Sequence, residues 1–247
     1  MNQKIRVGAV SYLNAKPLLF GIERSDVMND MELTLDYPSI LAAQLKEDTI
    51  DMALLPVAAI EGIEGARVVS DYGIAAEGNV VSVALFSRVP LPEISSVYLD
   101  YQSRTSVKLA EILLEHHWRQ PVSYLQADEH YIDKIYGSVA GVIIGDRALE
   151  NIKNFEYVYD LSAAWKAFTG LDFVFAAWVA NKELPSSFIK KFNKANREGL
   201  LHLDMVIAAN PFPVYDLYTY YTDNIKYLID EKKKAGMETF LRYVSQK

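Results

Sequence analysis

No cysteine occurs among the 247 residues. That excludes a disulfide, a zinc-thiolate centre and a cysteine-held iron-sulfur cluster, although it selects no cellular compartment by itself. Positive charge is scarce as well. With 25 Lys and Arg against 32 Asp and Glu, the chain carries a formal charge of -7. No basic stripe offers itself to a phosphate backbone, so nucleic acid is not an expected partner. No apolar run approaches the roughly 20 residues that cross a bilayer, so no membrane partner is expected. The opening "MNQKIRVGAV" lacks the pattern of a secretory leader and runs straight into a strand-like segment, which points to the cytoplasm.

Several catalytic signatures are also missing. There is no G-x-x-x-x-G-K-S/T phosphate loop, no dinucleotide glycine fingerprint, no H-E-x-x-H metal motif and no G-x-S-x-G nucleophile elbow. His116 and His117 are adjacent on a helix and project in different directions, while His130 and His202 stand alone, so no metal site is expected.

What is present is a well-filled globular chain. At 51% hydrophobic and 23% charged residues it suits one domain or two small lobes. "IRVGAV", "DMALLP", "VVSVALFS", "VYLD", "VSYL", "AGVIIGD", "EYVYDL" and "FVFAAWVAN" read as strands. They alternate with helical segments such as "SILAAQLKEDT", with Ser39 as its cap, and "SVKLAEILLEHHW". Such alternation predicts an α/β fold with a largely parallel sheet and a ligand site beyond the carboxyl ends of its strands. The long apolar runs at 80–87 and 172–181 are expected to cross between two lobes. The first lobe takes residues 1–84 and 178–247, the second 85–177, with a cleft between them. The "EKKK" run at 231–234 reads as a solvated face, and the tyrosines of 215–227 read as core or interface.

Three polar segments stand at strand ends. Ser11 and Asn14 in "SYLNAKPL" either cap a turn or meet a ligand. In "DYQSRTS", Ser103, Thr105 and Ser106 bring hydroxyls to a helix start and Arg104 adds a positive charge. This suits a carboxylate, although a plain cap needs only one of them. In "VIIGDRAL", Gly145 permits close approach to the backbone, and Asp146 is either a helix cap or a hydrogen-bonding group or base.

Taken together, "VGAVSYLNAKPL", "SVALFSR", "SRTSVKLAEILL", "VIIGDRAL", "AFTGLDFVFAAWVAN" and "YYTDNIKYLI" resemble the chorismate dehydratases of the futalosine route to menaquinone, over nearly the whole chain. The resemblance implies a two-lobed type II periplasmic-binding-protein-like fold with the ligand cleft between lobes. It implies a hydro-lyase that eliminates water from chorismate to give 3-(1-carboxyvinyloxy)benzoate, without a cofactor or metal. Asn14 and Ser82 are the implied catalytic pair. Ser11, Ser103, Arg104, Thr105, Ser106, Gly145, Asp146, Thr169 and Gly170 are the implied substrate-binding residues. Ser82 and Thr169 each border a strand and serve equally well as its polar end. The base is either Asp146 or the substrate's own enolpyruvyl carboxylate. Two other readings stand beside this one: a non-catalytic solute-binding protein for a small carboxylate, and the related dihydroxynaphthoate synthases. The latter open more like S-P-C-P-N-D and carry a histidine before the acidic residue where this chain has Gly145 and Asp146.

Overall fold

A computed structural model describes residues 4–246. Residues 1–3, part of the opening from which a cytoplasmic location is read, lie outside the described residues, as does residue 247. The first lobe opens with β1 (Ile5–Ala9), α1 (Lys16–Glu23), β2 (Met31–Leu35), α2 (Pro38–Lys46), β3 (Met52–Pro56) and β4 (Arg67–Ala76). The chain then enters the second lobe: β5 (Val83–Ser87), β6 (Ser96–Leu99), α3 (Arg104–Ile112), β7 (Ser123–Gln126), β8 (Val139–Ile144), α4 (Gly145–Asn151), β9 (Tyr157–Asp160) and α5 (Leu161–Thr169). It returns through β10 (Phe173–Ala180) and ends with α6 (Ser186–Leu200), α7 (Leu203–Ala209), α8 (Leu217–Thr219), β11 (Lys226–Leu228) and α9 (Glu231–Ser245).

Two sheets result, in the orders β11-β4-β10-β3-β1-β2 and β7-β6-β8-β5-β9. Both are mixed rather than largely parallel. β10 runs antiparallel to β3 and β4, and β5 runs antiparallel to β8 and β9, because the chain leaves one lobe and returns to it through these strands. Each therefore lies wholly in one sheet, and the boundaries expected at 84/85 and 177/178 would cut them. We propose that the lobes divide instead at 77–82 and 170–172, the segments that join β4 to β5 and α5 to β10. The central strands β3, β5 and β10 are buried on both faces, which explains their unbroken apolar runs.

Caps fix where the helices begin. Ser103 Oγ accepts the Ser106 N–H at the start of α3, and Asp160 accepts from Ser162 and Ala163 at the start of α5. Ser39 is not a cap, because α2 begins one residue earlier, at Pro38, whose fixed φ suits a first helical position. Behind the cleft the lobes are stapled by aromatic edges. Trp165 of α5 meets Phe173 of β10 and Phe240 of α9 at centroid separations of 5.5 and 6.2 Å. The "EKKK" run is not uniformly solvated: Lys233 is buried and pairs with Glu77 at 2.7 Å and Asp230 at 2.9 Å. Its position on the inner face of α9 ties that helix to the segment where the chain leaves β4.

Candidate active site

The carboxyl ends of β1, β3 and β8, with the amino-terminal halves of the antiparallel β5 and β10, meet between the lobes around a cavity of about 280 Å3. The first lobe supplies Tyr12 and Asn14 just past β1, Pro56 at the end of β3, and Phe175 and Ala176 from β10. The second supplies Ser103 and Ser106 at the start of α3, and Gly145, Asp146 and Arg147 at the start of α4. Ser82 lies on the crossing segment and closes the ring. The remaining walls are largely apolar, including Leu54, Ile74, Val83 and Ile225, so polar contacts to an occupant are few and directional.

Three polar atoms of lining residues are buried without a hydrogen-bond partner: Tyr12 Oη, Asn14 Oδ1 and Asp146 Oδ1. Each costs free energy unless a ligand or water satisfies it. Asn14 is held in a short 3-10 turn, Leu13–Ala15, and its backbone carbonyl accepts the Tyr227 hydroxyl at 3.0 Å. Gly145 has φ +63, and its N–H donates to the Ser82 carbonyl at 2.7 Å. That left-handed turn starts α4 and sets Asp146 at the cavity wall. Burial pushes the Asp146 carboxyl above the ordinary carboxylate value, against the Leu13 backbone N–H and the Lys16 ammonium, while Glu150 adds to the rise.

A carboxyl whose folded pKa is raised contributes stability below its unfolded pKa and loses that contribution as pH climbs through the folded value. Asp146→Asn removes the desolvated charge without changing shape. It therefore raises the melting temperature of the ligand-free protein at neutral pH by about 2–4 °C, equivalent to about 1 kcal/mol. The gain vanishes as pH falls below the usual carboxylate range. Thermal melts across pH check this, and an equal gain at all pH values contradicts it.

Arg147 supplies fixed positive charge. Its Nη2 donates to Asp100 Oδ2 at 2.7 Å, and the guanidinium lies 5.2 Å from the Tyr101 ring centroid. The Asp100 side chain is fully buried and also accepts from the Tyr131 hydroxyl and the Gln102 N–H, both at 2.7 Å. Burial still raises its pKa, with Arg147 the chief opposing influence. One edge of the guanidinium is thus occupied, which fixes its plane at the cavity wall.

The expected site residues divide into two groups. Asn14, Ser82, Ser103, Ser106, Gly145 and Asp146 line one cavity. Ser103 serves both as cap and wall, its hydroxyl lying 3.0 Å from that of Ser106. The others are not at that wall. Ser11 is exposed and accepts from Lys16 Nζ at 2.8 Å. Arg104 points into an outer chamber of about 460 Å3, shared with Tyr12, Tyr37 and Tyr101. Thr105 is buried and accepts the Ala58 N–H at 3.0 Å, so it joins the lobes instead of facing the cavity. Thr169 and Gly170 close the end of α5. The threonine hydroxyl donates to Trp165 O at 2.9 Å, and Gly170 takes φ +75. Among the described residues no group of three or more His, Asp or Glu is placed to hold a metal ion, and no helix is long and apolar enough to cross a membrane.

The architecture is that of the type II periplasmic-binding-protein fold. An ABC transporter structure from Parabacteroides distasonis matches at TM-score 0.70 and 16% identity, covering 99% of this chain and 93% of the other. A Candida albicans protein described as having the generic periplasmic binding protein fold matches at TM-score 0.68 and 13% identity, covering 99% and 91%. Sequence narrows the class further. Residues 5–246 match the menaquinone biosynthesis family, and the chain belongs to that family. A chorismate dehydratase of Thermus thermophilus is 30% identical over 192 residues, 69% of this chain and 70% of the relative. One from Campylobacter jejuni is 28% identical over 246 residues, 95% of each. The cytoplasmic location read from the amino terminus does not stand against the fold neighbours. They include an ABC transporter and the ligand-binding component of an ABC-type import system from Staphylococcus aureus, so a strand-like opening on this fold does not indicate the cytoplasm.

Proposed function

We propose that the protein is a chorismate dehydratase of the futalosine route to menaquinone, eliminating water from chorismate to give 3-(1-carboxyvinyloxy)benzoate. The observation that carries this reading is the convergence of three unpartnered polar atoms, on Tyr12, Asn14 and Asp146, with the Arg147 cation around one cavity. Two relatives bearing that name support it. Chorismate is a dicarboxylate with a ring hydroxyl, and the cavity offers the Arg147 guanidinium together with the amide of Asn14 and the hydroxyls of Ser82, Ser103 and Ser106.

The chemistry assigns the walls. A proton leaves the ring carbon that bears the enolpyruvyl ether, and hydroxide leaves its neighbour, so the ring becomes aromatic. The electron pair left by that proton is conjugated through a ring double bond to the ring carboxylate. Positive charge there favours a stepwise, carbanion-like elimination. Arg147, with the Ser103 and Ser106 hydroxyls at the start of α3, takes the ring carboxylate. The enolpyruvyl carboxylate, kept away from the arginine, stays basic enough to remove the proton. Asn14 spans that carboxylate and the reacting carbon, and Ser82 holds the leaving hydroxyl.

In this scheme Asp146 binds the substrate and does not abstract the proton. Asp146→Asn therefore retains turnover within about tenfold of wild type, the scale of one binding hydrogen bond. Loss of turnover with chorismate affinity unchanged would make Asp146 the base.

The fold neighbours also favour a second reading, a binding protein without turnover. A large excess of chorismate over protein separates the two. The dehydratase converts all of it to an aromatic product lighter by one water, whereas a binding protein leaves it intact.

A further inference from the structure

Tyr220, Tyr221 and Tyr227 of the tyrosine-rich segment after α7 lie in the core, one of the two places expected for them, and one of their hydroxyls also reaches Ser82 at the cavity. Tyr220 is fully buried, and its Oη lies 2.8 Å from Ser82 Oγ. Among the described residues the Tyr220 hydroxyl has no other hydrogen-bond partner. Were Ser82 the donor, the phenol proton would be left in an apolar interior with no acceptor, at the full desolvation cost. With Tyr220 donating, the Ser82 proton turns to the cavity that Ser82 lines, where an occupant can accept it.

The serine backbone is fixed on every side. Val81 stands at φ +59, a strained conformation for a β-branched residue, and is held by its N–H donating to Asp160 Oδ2 at 2.7 Å. The Ser82 N–H donates to Val80 O, and its carbonyl accepts from Gly145, both at 2.7 Å. The only freedom left to Ser82 is the direction of its hydroxyl, and Tyr220 removes it.

We infer that Tyr220 is a positioning residue that commits Ser82 to act as a hydrogen-bond donor toward the substrate oxygen that departs as hydroxide. This rests on the dehydratase reading. A departing hydroxide gathers negative charge, so a donor at that oxygen strengthens in the transition state, whereas a freely turning hydroxyl spends part of its time as an acceptor. Burial holds the Tyr220 phenol above its ordinary pKa, so it keeps its proton through the working pH range.

Steady-state kinetics of Tyr220→Phe, Ser82→Ala and the double variant test the inference. Tyr220→Phe lowers kcat about tenfold and leaves KM within about twofold. In the Ser82→Ala background the same change costs less than about twofold, because there is no hydroxyl left to orient. An unchanged kcat in Tyr220→Phe, or the same loss in both backgrounds, overturns it. A second measurement needs neither a folded Tyr220→Phe protein nor chorismate turnover. In wild type the Tyr220 hydroxyl proton gives a slowly exchanging NMR resonance that Ser82→Ala shifts or removes. A slow resonance belonging to the Ser82 hydroxyl instead reverses the donor and overturns the inference. Wild type that leaves chorismate unchanged while showing the Tyr220 resonance refutes the dehydratase reading and with it the role at a leaving hydroxide.

Discussion

Asn14→Ala lowers kcat for chorismate about 10²- to 10³-fold, the scale of losing one preorganised polar group at a reacting centre. The fold survives the change. Asn14 is partly buried, its backbone is held through its carbonyl by Tyr227, and its Oδ1 has no protein partner to lose. Truncation therefore removes an unsatisfied acceptor from the ligand-free protein, and the melting temperature stays within about 4 °C of wild type. Loss of turnover without loss of stability marks a group kept for its ligand. Steady-state kinetics and a thermal melt on one preparation decide the matter, and retained full activity removes Asn14 from the mechanism.

Arg147→Met separates binding from folding in the opposite way. Losing the proposed charge-assisted contact to the ring carboxylate raises KM about 10- to 100-fold. It also strands Asp100, whose side chain is fully buried and keeps only the Tyr131 hydroxyl and the Gln102 N–H. Removing the counter-charge of a buried carboxylate costs about 3–5 kcal/mol. The sign of the pH dependence follows from the raised pKa of Asp100, which rises further without the arginine. The folded state then holds the proton more tightly than the unfolded chain, so the deficit is largest above the folded pKa and shrinks as pH falls toward the ordinary carboxylate range. Adding Asp100→Asn restores stability but not affinity. If the double variant recovers both, Arg147 serves only to neutralise Asp100 and does not bind substrate.

Local features of the site were readable in the sequence, and relayed ones were not. Ser103 at the head of "SRTSVKLAEI" announces a capped amphipathic helix within a few residues, and the structure has that helix and cap. Asn14 and Asp146 end apolar strands, so their place beyond strand ends followed from the α/β pattern. Arg147 stands beside Asp146 in the same motif, but its importance depends on Asp100, 47 residues away. Tyr220 touches Ser82 across 138 residues, and no spacing rule reports such a pair.

Thr105 and β4 depart from the local sequence pattern for physical reasons. A run of hydroxyls at a helix start cannot all face one way, so Thr105 turns to Ala58 while Ser103 and Ser106 face the cavity. β4 contains Ser70, Asp71 and Gly73, residue types that sit poorly in strands, and only its partners β10 and β11 make "RVVSDYGIAA" a strand.

The reaction proposed for this cavity is an elimination across two specified ring carbons. Chorismate deuterated at the carbon bearing the enolpyruvyl ether tests it most directly, with the product's mass and label read after incubation with the wild-type protein. The expected product is aromatic, has lost one oxygen and the deuterium together, and forms far more slowly with Asn14→Ala. Recovery of intact, still-deuterated chorismate, or an aromatic product that keeps the label, contradicts it.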